Sequence, residues 1–356
     1  MGQPQQPLEI KGKGWSRQTI TFRSSSLEGN RSRCEAWLYL PTKAARKPPV
    51  IVMAPGLGLQ KGFQLPRFAQ AFAAAGYAAF LFDFAHFGGS EGLPRHHVAP
   101  DLQLQNYVDA VKHIQATGGL DGTVDVSRIV LWGASYSGGH ALAAVAQLKQ
   151  AAAVIAVEPD VGQGILSNRS LQLKAANGSM AGDEAATGVG VTARLLSLLG
   201  TKILTLRLLV VAAVDTIRTW IGLYPAYISV MAPDTKDLLK PLGLLRIPLS
   251  DYTDFMQAVQ STQGMGHWHN LVPAKVLWWY NKKDPLERAK SIKAPALLIA
   301  GGGSEDALSP EWAVREAGKR IGDLATTITL EGSHVSLYSN KELIPVMLMF
   351  LGAQFR

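Results

Sequence analysis

Cysteine is all but absent: Cys34 is the only one in 356 residues, which excludes an intrachain disulfide and a zinc site built on thiolates. Runs of one charge are missing as well. The net charge of +8 comes from lysines and arginines dispersed along the chain, so it reads as a mildly basic surface and no nucleic-acid partner is expected. The first residues, Met1-Gly2-Gln3-Pro4-Gln5-Gln6-Pro7, lack the basic segment and apolar stretch of a secretory signal, and Gln6 breaks a myristoylation pattern. With the single cysteine, this leads to the expectation of a cytoplasmic setting. An uninterrupted apolar span is also missing. The stretch from Ile203 to Ile221 has the length of a membrane helix, but Arg207, Asp215 and Arg218 interrupt it, so no integral membrane association is expected. His96-His97 and the pair His267 and His269 lie close in sequence without an H-x-x-x-H helix motif or a carboxylate cluster beside them. Neither a metal nor another cofactor is expected.

What is present is a folded globular composition, with 47% hydrophobic and 17% charged residues and enough Gly and Pro to punctuate many short elements. Two β-rich stretches, Gln18 to Phe22 and Glu35 to Leu40, flank a polar turn and suggest an opening antiparallel pair. Short apolar runs then alternate with helical patterns. The runs are Val50 to Met53, Ala78 to Phe82, Ile129 to Trp132 and Ala153 to Val157, followed after a long interval by Ala296 to Ala300 and Thr326 to Leu330. Continuous apolar strands between helices indicate an α/β fold with a mostly parallel sheet covered on both faces. The interval is far longer than an ordinary loop and reads as a folded, largely helical cap. The expected division is a loose N-terminal arm over 1–14, a core over 15–160 and 291–356, and a cap insertion over 161–290.

The chemistry is concentrated at strand ends. The run Ile129 to Trp132 feeds Gly133-Ala134-Ser135-Tyr136-Ser137-Gly138-Gly139, where small residues allow a sharp turn from strand into helix with Ser135 at its apex. Ser137 stands where the commonest form of G-x-S-x-G has glycine, and it competes with Ser135 as nucleophile. After Val50 to Met53 comes Ala54-Pro55-Gly56-Leu57-Gly58, whose glycines let the backbone approach a substrate. Glu331-Gly332-Ser333-His334 follows the last strand, and Gly301-Gly302-Gly303-Ser304-Glu305-Asp306 follows the one before it.

Taken in order, Ser135, Asp306 and His334 resemble the triad of the α/β-hydrolase superfamily, and the likeness covers about residues 18 to 160 and 291 to 350. Ala75-Gly76-Tyr77 and the turn Phe82-Asp83-Phe84-Ala85-His86-Phe87-Gly88-Gly89-Ser90 add to it. Around Trp132 to His140 the chain is similar to a branch of bacterial hydrolases and fungal polyketide thiohydrolases or transferases. The resemblance implies Ser135 as nucleophile, His334 as base and Asp306 as orienting carboxylate, with Glu305 and, more distantly, Asp160 as rivals for the last role. It also implies an oxyanion hole formed by the backbone N–H groups of Leu57 and Tyr136.

The expectation is therefore a serine hydrolase acting on an ester, thioester or lactone of a small hydrophobic acyl or polyketide-like substrate through an acyl-enzyme. Two alternatives stay open: an acyltransferase using the same three residues, and a non-catalytic binding protein on the same fold. Leu204, Leu208, Trp220, Tyr224 and Tyr227 either line the substrate site or form the cap's own core.

Overall fold

The computed structural model describes residues 9–355 apart from 28, 30, 149, 162–187, 234–241, 263–267, 280–284 and 303–308. The chain opens with β1 (Ile10–Gly12), β2 (Trp15–Ser25) and β3 (Arg31–Pro41), and continues through β4 (Pro49–Ala54), α1 (Leu65–Ala74), β5 (Ala78–Phe82) and α2 (Pro100–Ala116). β6 (Asp125–Ala134), α3 (Tyr136–Gln147) and β7 (Ala153–Val157) complete the first part of the core. The cap contains α4 (Gly188–Trp220), β8 (Tyr227–Pro233), β9 (Gly243–Ile247), α5 (Leu249–Ser261), β10 (Val272–Pro273) and α6 (Val276–Trp279). The core resumes with β11 (Ala296–Gly301), α7 (Glu311–Ile321), β12 (Ala325–Leu330) and α8 (Leu343–Phe355).

Nine strands form one sheet in the order β1-β2-β3-β5-β4-β6-β7-β11-β12. β1, β2 and β3 are joined antiparallel, and β3 meets β5 antiparallel, whereas β5, β4, β6, β7, β11 and β12 run parallel. Every residue of β4, β5, β7 and β11 is buried, as strands covered on both faces require. Because side chains alternate along a strand, β4 serves two cores. Val50 and Val52 pack with Phe80, Phe82 and Leu131 on one face, while Ile51 and Met53 pack with Phe68, Phe72 and Trp132 on the other. The consequence for function is directional. β4, β6, β7, β11 and β12 all end at the same edge, where α/β sheets hold their ligands.

Three sequence expectations differ in detail. Residues 10–12 are not loose: Ile10 pairs with Arg17 and Gly12 with Trp15, so the chain's start extends the sheet by a short strand. The cap is not wholly helical either. β10, β8 and β9 form a separate three-stranded sheet, since Tyr227–Pro233 and Gly243–Ile247 are short apolar runs that bury against Phe255 and Val272 rather than continuing a helix. Trp220 and Tyr224 are not part of a buried cap core, each being 86% exposed, whereas Leu204 and Leu208 are buried. α4 accommodates the charges that interrupt its apolar stretch. Asp215, fully buried, accepts the backbone N–H of Ala226 at 2.9 Å and of Lys275 at 2.8 Å, which fastens the helix to two other parts of the cap. No helix among the described residues is long and apolar enough to cross a membrane.

The histidines away from the strand edge are structural in their contacts. His140 bridges the carbonyls of Tyr136 and Pro100, His86 meets the carbonyl of Pro94, and His113 stacks on Phe22. Burial, with His86 and Lys275 nearby, pushes His97 down to about 3, and burial also lowers His96, His113 and His140. In the unfolded chain each takes up a proton near 6.5, but in the folded chain only at lower pH. Below that value the unfolded state binds more protons, so stability is complete above it and drains as pH falls from 6.5 toward 3. Urea midpoints are therefore expected to fall between about pH 7 and pH 5, with a shallower decline in His97→Gln. A midpoint flat across this range, or a slope untouched by the substitution, contradicts this account.

Candidate active site

β6 ends in Gly133-Ala134, and the chain turns at Ser135 directly into α3. Ser135 has φ 55° and ψ −123°, a left-handed conformation that a non-glycine residue adopts only when its surroundings impose it. The surroundings do so through the backbone. Ser135 N–H donates to Val157 O at 2.8 Å, and Ser135 O accepts from Gly138 N at 2.9 Å and Asp160 N at 2.9 Å. Gly133 is required for contact reasons, since a Cβ there would lie 2.1 Å from the Ser137 carbonyl oxygen. The side chain of Ser135 is left partly exposed at the apex.

Ser137, the rival offered by the sequence, is fully buried. Its hydroxyl donates to the Ala54 carbonyl at 2.7 Å and accepts the Ala134 N–H at 2.9 Å. Glycine, the usual occupant, offers no such group; here the serine fastens the end of β4 to the turn at the end of β6. This holds the loop after β4 beside the apex. A Cβ on Gly56 would lie 3.8 Å from Ser135 Cβ, and Leu57 follows it, buried. Tyr136 opens α3, with its ring buried and its hydroxyl donating to Gln103 Oε1.

His334 arrives on the loop after β12, as its place in the sequence suggests, and is 7% exposed. Its Nε2 lies 2.8 Å from Ser135 Oγ. Residues 199 apart in sequence are thus brought within hydrogen-bond reach by the parallel order of β6, β7, β11 and β12. Asp306 and Glu305 lie outside the described residues. Asp160 has its backbone N–H on Ser135 O.

A carboxylate that the sequence reading passed over reaches the imidazole from β7. Glu158 Oε2 is 3.5 Å from His334 Nδ1, and Glu158 is fully buried. The residue is bent into place with φ 42°, its N–H donating to Ile299 O at 2.6 Å. Gly301 leaves room for it: a Cβ there would come within 2.3 Å of Glu158 Oε1. The available signal was an acidic residue directly after five buried apolar residues, followed by Pro159, on the strand next to the one that carries Ser135. Burial and the nearby Glu158 charge both raise the Tyr338 hydroxyl.

Between core and cap a separate crevice of about 720 Å³ is lined by Trp37, Lys61, Arg95, His96, Tyr227 and His269, among others. Lys61 is paired within it with Glu35 at 2.7 Å and with Asp83. Among the described residues no cluster of His, Cys, Asp and Glu is arranged to hold a metal ion.

Known proteins resemble the chain in sequence and in fold. Over 156 residues the chain is 37% identical to the quorum-quenching protein AidA of Acinetobacter baumannii, covering 44% of this chain and 45% of that protein. Over 111 residues it is 37% identical to the thiohydrolase aneE of Aspergillus aculeatus, covering 31% of this chain and 34% of that one. The matched stretch thus spans under half the length of either relative. The crystal structure of the alpha/beta hydrolase GrgF from Penicillium sp. sh18 superposes with a TM-score of 0.68 over 95% of this chain and 98% of that chain, at 21% identity. A family model described as the Alpha/beta hydrolase family matches residues 51–345, and the chain accordingly belongs to the α/β-hydrolase family.

Proposed function

We propose that the protein is a serine hydrolase that cleaves an ester, thioester or lactone of a hydrophobic acyl substrate through an acyl-enzyme on Ser135. The observation that carries this reading is the 2.8 Å contact between Ser135 Oγ and His334 Nε2 at the apex of a strained turn. With Nδ1 protonated and facing carboxylate, Nε2 accepts the Ser135 proton as Oγ attacks the acyl carbonyl. The backbone N–H groups of Leu57 and Tyr136 receive the oxyanion. Support for this lies in the closeness of the Gly56-Leu57 loop to Ser135 and in the position of Tyr136 directly after Ser135, at the start of α3. The imidazolium returns its proton to the departing alcohol or thiol, and His334 then deprotonates water for release of the acid.

Two carboxylates are assigned to His334. Asp306, after β11, is the orienting member of the triad, and Glu158 is a second buried negative charge that stabilises the imidazolium from the β7 side. The partly exposed Ser135 favours catalysis over a purely binding role. An acyltransferase is the second reading, since an acyltransferase of Aspergillus calidoustus and a polyketide transferase of Penicillium are among the relatives, at 35% and 33% identity. Water and an acceptor alcohol or amine compete for the same acyl-enzyme, so product analysis with both present separates the two.

Labelling by a fluorophosphonate probe is expected to vanish in Ser135→Ala, with turnover of an activated acyl ester reduced by about 10⁴-fold or more. Ser137→Ala should still label while unfolding at lower urea, because it loses the tie between Ala54 and Ala134, a loss on the order of 1–3 kcal/mol for buried groups left unpaired. Full labelling of Ser135→Ala would sink the assignment. For the carboxylates, Asp306→Asn is expected to lower kcat by about 100-fold or more. Glu158→Gln should cost about tenfold and move the acid limb of the kcat/KM profile to lower pH, since it removes a charge that favours the protonated imidazole. If Glu158→Gln is the severe loss and Asp306→Asn is nearly neutral, Glu158 is the triad acid instead.

A further inference from the structure

The cap carries an apolar seam that nothing in the chemistry above uses. Along α4, Ile203, Leu206, Val210, Ala213, Ile217 and Trp220 follow one another at intervals of three and four residues. That alternation is the heptad spacing of a helix-to-helix seam, with a mean repeat of 3.5 residues. Each of these six residues is exposed, including Leu206 at 62%, Ile217 at 59% and Trp220 at 86%. Val214 and Ile221 widen the stripe on one flank, and Leu223 and Tyr224 prolong it past the helix end, where Gly222 at φ 78° turns the chain. The opposite side of the same helix is already used. Leu204, Leu208, Ala212 and Asp215 recur at i, i+4, i+8 and i+11 and are buried in the cap.

A helix that is apolar on both sides belongs in an interior. Its first side has one; the second has none within this chain's described residues. We propose that this side of α4 is a self-association surface, on which a second copy of the chain lays its own α4.

Three features favour a second copy over other occupants. First, the 3.5-residue period tracks a helical partner, whereas a flat lipid surface imposes no such repeat. Second, a helix that lies on a membrane opposes its apolar side with a strongly charged one rich in Lys and Arg. Here the opposite side is the buried apolar one, and the only acidic residue in the whole of α4, Asp215, is sealed beneath it. The exposed side therefore brings no carboxylate to a two-fold pairing of identical helices, and Arg207 and Arg218 sit at its margins, only partly exposed. Third, the area is adequate. The six positions run about 26 Å along the helix at 1.5 Å per residue. Trp220 and Tyr224 alone present roughly 350 Å² between them, and the aliphatic side chains bring the patch to the order of the 800 Å² per partner that specific interfaces bury. Solitary folded chains seldom leave an apolar patch of that size in water.

The test uses the full chain and reads mass rather than activity, so it stands or falls separately from the hydrolase reading. Sedimentation equilibrium is expected to show a reversible dimer. Val210→Glu combined with Ile217→Glu, both at positions open to water in a single copy, should raise the dimer dissociation constant by about 100-fold or more, because it puts unpaired carboxylates in the seam. Circular dichroism and fluorophosphonate labelling of the double variant should match wild type. A chain that remains monomeric at every concentration overturns the proposal, as does a dimer that the double variant leaves intact. A monomer that floats with phosphatidylcholine/phosphatidylglycerol vesicles, and loses that binding in the double variant, also overturns it and assigns the seam to lipid.

Discussion

Holding Ser135 at φ 55° opposes the ordinary preference of an L-residue by an amount on the order of 1–3 kcal/mol, and the packing around it is arranged to meet that cost. The strain is distributed over bonds that have other duties. Val157 O belongs to β7, and Asp160 N to the turn that follows it, so the strand delivering Glu158 is the one that pins the serine backbone. Ala54 O, at the end of β4, is held by Ser137, so the loop proposed to receive the oxyanion is tied to the same turn. Releasing Ser135 would disturb three strand ends at once. The proposed nucleophile is held in an unfavourable backbone state by bonds to the ends of neighbouring strands.

The same economy of placement governs His334. Neighbouring parallel strands bring their ends to one edge, and an imidazole on the loop after β12 needs only to cross β11 and β7 to reach β6. Gly301 contributes by absence, since any side chain there would occupy the space of the Glu158 carboxylate. Two residues bent into left-handed backbone, Ser135 and Glu158, thus lie at adjacent strand ends. Other non-glycine residues of positive φ, among them Gln64, Leu120 and Asp121, lie away from this pair.

Much of this was legible in the sequence. The apolar runs of β4, β5, β7 and β11 gave the parallel sheet because strands buried on both faces carry no polar alternation to confuse the pattern, while β12 at the sheet's edge is only partly buried. That Ser135 and His334 would come together was legible because turn chemistry and strand ends coincide. Glu158 was not, since nothing in a lone acid after an apolar run tells whether it faces water or an imidazole; only the register between β7 and β11 decides that. The role of Ser137 was equally hidden. Its hydroxyl matters through Ala54, 83 residues away, and a local motif cannot report so distant a partner. In the cap, Trp220 and Tyr224 show the opposite failure: aromatic content suggested a lining or a cap core, whereas helical phase puts Trp220 on the outside and Tyr224 lies exposed past the helix end.

Cys34 lies opposite Phe22 across β2 and β3, with no exposed surface, and burial pushes its thiol up to about 12. The chain's one sulfhydryl is therefore neither ionised nor reachable at neutral pH. The folded protein presents to oxidants, alkylating reagents and disulfide exchange a surface free of native thiol. Its fold owes nothing to redox poise, and a single cysteine introduced at a surface position would be the folded molecule's one accessible thiol.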